Sequence, residues 1–208
     1  MPFYRKIVHD ANTVVLLWEI TETLEELFDR TVLSDTSLFR LSTLRTLQHK
    51  RGFLSVRLLL QLQGYQDSDL YYDAFGKPHL KDGMHISISH SFGFSAVIFS
   101  NRTTGLDLEL RREKIAVIAN KFLDPGFSID PQAKDYISKL TVNWGIKEAV
   151  FKIRNEKGIS FKDHIHVKPF DMPLGKTTAE LHFGKLVRHF DVFFLEVEAY
   201  TLVYLFEK

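Results

Sequence analysis

The stretch Gly105-Leu106-Asp107-Leu108-Glu109 decides how this chain is read. Strand side chains alternate between faces, so Asp107 and Glu109 share one face while Leu106, Leu108 and Leu110 take the other. Three leucines anchor such a strand in a core, yet the two carboxylates beside each other repel. Either they are solvated acids on the wet face of an amphipathic strand, or a cation neutralises them. An all-oxygen donor set points to Mg2+ rather than zinc.

Working outward, the preceding segment His85-Ile86-Ser87-Ile88-Ser89-His90-Ser91 alternates strictly, with Ile86, Ile88 and His90 on one face and the serines on the other. The segment from Phe94 to Phe99 supplies its partner, and Asn101–Thr104 turns the chain into the Asp107/Glu109 strand. Three strands in close succession predict one antiparallel sheet. Further back, Val14–Ile20 reads as a buried strand, Thr23–Phe28 as a short amphipathic helix, and Ser42–Gln63 as a long helix stopped by Gly64. That helix is apolar over much of its circumference through Leu54, Leu58, Leu59 and Leu62, and Arg57 sits among them. A cation there snorkels to water or meets an anion. Between helix and strand, Gly76 and Pro78 hold Lys77 on a loop.

Forward from the acidic strand come a helix near Glu113–Lys121, a turn at Asp124-Pro125-Gly126 and a long helix over Pro131–Arg154. Its spacing puts Ile146, Ala149, Val150 and Ile153 on one face. Trp144, Glu148, Phe151 and Lys152 lie on another, with Lys147 alongside. Strands are expected at Ile165–Val167, Thr178–Phe183, Leu186–Leu195 and Val197–Phe206. Each half thus reads as a helix followed by antiparallel strands.

Composition bounds the possibilities. The 208 residues fit one large domain or two small ones, with 45% hydrophobic and 25% charged residues. A net charge of +1 gives no global argument for nucleic acid or membrane as partner. The absence of cysteine excludes disulfides and thiolate metal sites and agrees with a cytoplasmic address. The opening Met1–Lys6 holds no apolar run of a signal peptide, and no stretch is long enough to span a bilayer. The 18 phenylalanines are read first as core.

Taken in order, these segments resemble the 4'-phosphopantetheinyl transferases, in their larger, single-chain group. That group carries Gly-Lys-Pro, Ser-His-Ser, Gly-x-Asp-x-Glu, Trp-x-x-Lys-Glu-x-x-x-Lys and a following Lys-Gly. Here these are Gly76-Lys77-Pro78, Ser89-His90-Ser91, Gly105–Glu109, Trp144–Lys152 and Lys157-Gly158. Phe53-Leu54-x-x-Arg57 on the first long helix also fits, and the resemblance covers about residues 50 to 160.

The resemblance implies an α+β fold of two similar halves, 1–103 and 104–208, related by a pseudo-twofold with the active site in the cleft between them. It implies a cytoplasmic monomer that moves the phosphopantetheine arm of coenzyme A onto a serine of an apo acyl or peptidyl carrier protein, with Mg2+, releasing 3',5'-ADP. Asp107, Glu109 and Glu148 would hold Mg2+, and Glu148 would take the serine proton, directly or through a water. Lys152 and His90 would bind diphosphate oxygens, with Ser89 beside them. Gly76, Lys77 and Pro78 would border the adenine and 3'-phosphate end. Arg57, with Lys50 or Arg51, would add positive charge there, and Lys147 would serve the phosphate region. One departure stands out: some relatives place an arginine nine residues before the Arg57 position, where this chain has Gln48, followed by His49, Lys50 and Arg51. Two other readings fit the same residues: a relative that binds coenzyme A or a carrier without catalysis, and a metal-dependent phosphohydrolase.

Overall fold

A computed structural model describes residues 3–208, so Met1 and Pro2 of the opening stretch lie outside the described residues. The elements are β1 (Phe3–Asp10), β2 (Thr13–Glu19), α1 (Leu24–Asp29), α2 (Asp35–Thr43), α3 (Leu47–Leu62), β3 (Leu70–Tyr72), β4 (Pro78–Leu80), β5 (His85–Ser91), β6 (Phe94–Ser100), β7 (Thr104–Leu110), α4 (Lys114–Ile118), α5 (Tyr136–Arg154), α6 (Phe161–His164), β8 (Ile165–Val167), β9 (Lys176–Phe183), β10 (Leu186–Val197) and β11 (Tyr200–Glu207). The architecture is mixed α and β, and every strand pairing among the described residues is antiparallel. The chain divides into two compact units, the first ending at Asn101 and the second spanning Arg102–Lys208.

In the first unit, the order β1-β2-β6-β5 forms a sheet, and β3-β4 forms a separate ribbon. Helix α3 packs on this sheet through Phe53, Leu54, Val56 and Leu58–Leu60, all buried, together with Leu16, Trp18 and Val97. The long helix expected from Ser42 is two helices. Thr46 interrupts it by turning its hydroxyl to the His49 backbone N–H, an N-cap that starts α3 afresh. Strand β1 was not anticipated, because its exposed residues carry no clear apolar period.

The second unit holds the order β7-β11-β10-β9-β8, with α5 against β7 and β11. Its core joins Val142, Ile146, Ala149, Val150 and Ile153 of α5 to Val192, Val203 and Leu205 of the sheet. The apolar face expected on that helix is the buried one. The helix itself starts at Tyr136, because Asp130 draws the Gln132 N–H onto its side chain and makes Pro131–Asp135 a turn.

The expected three-strand succession is corrected. Strands β5 and β6 pair as a hairpin, whereas β7 joins β11, with Val203 opposite Asp107. The turn between β5 and β6 is tight, with Phe92 at positive φ (48°) and Ser91 opposite Phe94. Strand β6 already has β2 and β5 as its two neighbours, so no edge of it is left for β7. No helix among the described residues is long and apolar enough to cross a membrane.

Candidate active site

Two glycines set the geometry of the second unit's acidic cluster. A Cβ on Gly105 would stand 2.2 Å from the Ala149 carbonyl oxygen, and one on Gly145 would stand 2.9 Å from Val203 Cγ2. Only hydrogen at both positions lets α5 lie this close to β7 and β11. A helix-interior glycine costs about 1 kcal/mol relative to alanine, so Gly145 marks a contact worth more than that cost. The same contact puts Asp107 under the helix, its Oδ2 3.6 Å from the Cβ position of Gly145.

Asp107 is therefore not on a wet face: it is 3% exposed, while Leu106 and Leu108 on the opposite face are fully buried. Lys152 reaches from α5, its ammonium donating to Asp107 Oδ1 at 2.7 Å and to the Leu106 carbonyl at 2.9 Å. Glu148, one turn earlier, is half-buried, and its carboxyl is pushed up to about 7. Burial is the first cause and the Asp107 charge the second; Lys152 opposes them and Glu109 adds to them. Three carboxylates and one ammonium thus interact within a single patch of β7 and α5.

The aromatics that frame Glu148 are packed rather than solvated. Trp144 lies 5.4 Å and Phe151 5.8 Å from Phe161, ring centre to ring centre, and Phe122 meets Trp144 edge-on. A groove of about 220 Å³ runs from Glu109 past Arg112, Lys114, Ile115, Ile118 and Trp144.

As a test of fit, the donor chemistry of Asp107, Glu109 and Glu148 suits Mg2+, with oxygen ligands only. No group of three or more His, Asp or Glu side chains among the described residues is arranged to hold a metal ion. The fit is one of donor type and mutual repulsion.

Lys147 departs from expectation. It is fully buried and donates to the Phe161 and Ile165 carbonyls at 2.7 and 2.6 Å, with Asp124 at 3.4 Å. Burial pulls its ammonium down to about 8, against the raising effect of Asp124. It ties α5 to α6 and β8 and does not reach out to a phosphate. Asp124, read from sequence only as part of a turn, is its counter-ion and also accepts from the Val167 N–H.

In the first unit Arg57 is buried in an ion pair. It is 3% exposed, its Nε donates to Asp67 Oδ1 at 3.0 Å, and its guanidinium lies 3.6 Å over the Phe53 ring. Of the two outcomes expected for a cation on that helix, the arginine takes the second and meets an anion inside this unit. The remaining basic groups also spread out. The Gly76–Pro78 loop is built on Asp73, whose Oδ1 accepts from the Phe75 and Lys77 backbones at 2.9 Å each, with Gly76 at φ +83°. Lys77 stands near His85, whose pKa is lowered by burial first and then by Lys77 and His79. His90 is at the opposite end of the same strand, roughly 16 Å away at strand rise. Ser89 is buried, and His90 is exposed with its ring on Gly52 of α3. Lys50 and Arg51 are both half-buried on α3.

No protein-family model matches the chain, and no curated protein sequence matches it.

Proposed function

We propose that the protein transfers the 4'-phosphopantetheine group of coenzyme A to a serine of an apo carrier protein, acyl or peptidyl, in an Mg2+-dependent reaction. The observation that carries this reading is the cluster of Asp107, Glu109, Glu148 and Lys152, gathered by close packing of α5 on β7 through Gly105 and Gly145. It supports the role that the resemblance gives to these four residues. On this reading the two units are pseudo-twofold halves, the active site lies in the cleft between them, and the protein works as a cytoplasmic monomer.

The reaction displaces 3',5'-ADP: the serine oxygen forms a bond to the phosphorus that bears the pantetheine arm, and the phosphorus–oxygen bond to the nucleotide breaks. Mg2+ held by Asp107, Glu109 and Glu148 would neutralise the diphosphate. On this reading Lys152 would exchange Asp107 for a diphosphate oxygen, and His90 would donate to another. Glu148 takes the serine proton. Its place on α5, one turn from Lys152 and framed by packed aromatics, holds that carboxylate in position.

Single-turnover transfer at saturating coenzyme A, carrier and Mg2+ tests these roles. Glu148→Gln should slow transfer by about a hundred- to ten-thousandfold with little change in coenzyme A affinity, since glutamine cannot accept the proton. Asp107→Asn should abolish turnover, and chelator should do the same to the native enzyme, reversibly with Mg2+. Transfer at native rate by both variants overturns the assignment. Release of phosphopantetheine without a carrier would mark a hydrolase, and binding with neither outcome a non-catalytic relative.

A further inference from the structure

We infer that the outer face of the second unit's sheet is a zinc site, formed by His166, Glu180, His182 and His189 from three neighbouring strands. The proposed transfer uses none of these residues, and the inference stands apart from it. Strand alternation sets them on one face. Ile165 and Val167 of β8, Ala179 and Leu181 of β9, and Phe190 of β10 are buried in the core. The residues that alternate with them therefore point outward. Register then brings the outward side chains together: His166 of β8 and His189 of β10 each stand directly opposite Glu180 of β9. His182, two residues further along β9, shares that face.

The rings of His166 and His182 lie 5.1 Å apart, centre to centre. His182 Nε2 stands 3.0 Å from Glu180 Oε2, and His189 Nδ1 stands 3.7 Å from Glu180 Oε1. As they lie, these groups contact one another, and no three of them surround one centre. None is walled in: His182 and His189 are exposed, and His166 and Glu180 half-buried. Turned inward, they would exchange contacts within the cluster for bonds to an ion. Three imidazoles and a carboxylate are a donor set for Zn2+, which takes four such ligands in a tetrahedron, whereas Mg2+ prefers oxygen alone. Lys168, 3.8 Å from Glu180 Oε1, is exposed and has water to turn into. The ion would have a mechanical effect. Strand β8 is three residues long and forms one edge of its sheet, so ligands from β8, β9 and β10 together would pin that edge.

The test is calorimetric titration of the untagged chain with ZnCl2 in a large excess of Mg2+, which keeps the acidic patch of β7 and α5 from competing. One zinc should bind per chain at micromolar concentration or below, and it should raise the thermal midpoint, since only the folded sheet gathers the ligands. His182→Ala should weaken binding about a hundredfold or more, because even loss of a group that supports a ligand costs about ten- to a hundredfold. The triple variant His166→Ala/His182→Ala/His189→Ala should bind no zinc there and lose the thermal shift. Should that variant fail to fold, His182→Ala decides, its side chain being exposed. Co2+ in place of Zn2+ should give the visible absorption of a tetrahedral site in the native chain and not in His182→Ala. Absence of zinc binding by the native chain, or native affinity in the folded variants, overturns the inference and leaves the transferase reading untouched.

Discussion

Gly105 shows how tightly this structure depends on single atoms. A methyl group there would meet the Ala149 carbonyl at 2.2 Å, a backbone atom that cannot step aside. Gly105→Ala should lower the thermal midpoint more than Gly145→Ala, whose methyl meets the Val203 side chain at 2.9 Å. Overpacking typically costs about 1–3 kcal/mol, and the first substitution belongs at or above the top of that range. Calorimetric unfolding of both variants measures the order. Arg57 makes a different point. Breaking a buried ion pair costs about 3–5 kcal/mol, so Arg57→Ala should lower the urea midpoint strongly while the folded fraction keeps native coenzyme A affinity. A folded, stable variant with weakened binding would place Arg57 at the 3'-phosphate end of coenzyme A. Its partner Asp67 carries a pH signature. Burial raises the Asp67 pKa, but hydrogen bonds from Ser34, Ser37 and Arg57 outweigh it and hold the value below its ordinary 3.8. The folded pKa lies below the unfolded one. The stabilisation is therefore complete above about 3.8 and is lost as pH falls through the folded value. Unfolding free energy measured against pH should fall in that acid window, and Asp67→Asn should remove this part of the slope.

At the scale of elements, α5 is held from two sides: by glycine contacts to β7 and β11, and by Lys147 to the Phe161 and Ile165 carbonyls. Lys147→Met deletes the donor for both carbonyls and strands Asp124 in the interior. It should cost about 3–5 kcal/mol in urea unfolding, as expected for a broken buried pair. Much of this element was legible in sequence. The apolar period at Ile146, Ala149, Val150 and Ile153 named its buried face, and the shared face of Glu148 and Lys152 named its acidic-cluster side. The direction of Lys147 was not legible, because its partners are main-chain carbonyls and an aspartate from a distant turn. Strand β7 was read correctly as a strand but assigned the wrong neighbour. Periodicity reports which face is buried, whereas pairing depends on which strand edges are open, and both edges of β6 are taken by β2 and β5. Arg57 was legible as a cation in an apolar setting, but nothing in its own helix identified Asp67 as its anion.

For the molecule as a whole, the mixed α and β architecture with antiparallel sheets agrees with the expectation from sequence. Each unit sets a long helix on its own sheet, α3 in the first and α5 in the second. The residues proposed for chemistry fall on the second unit and those proposed for coenzyme A fall mainly on the first. Their cooperation in one reaction is the central claim. It is tested most directly by incubating the protein with coenzyme A, Mg2+ and a panel of apo acyl and peptidyl carriers, then reading the intact mass of each carrier. The account predicts that at least one carrier gains the mass of a phosphopantetheine group at its serine, that the gain requires Mg2+, and that Asp107→Asn abolishes it. Carriers that all keep their apo mass, with coenzyme A unconsumed, would contradict it.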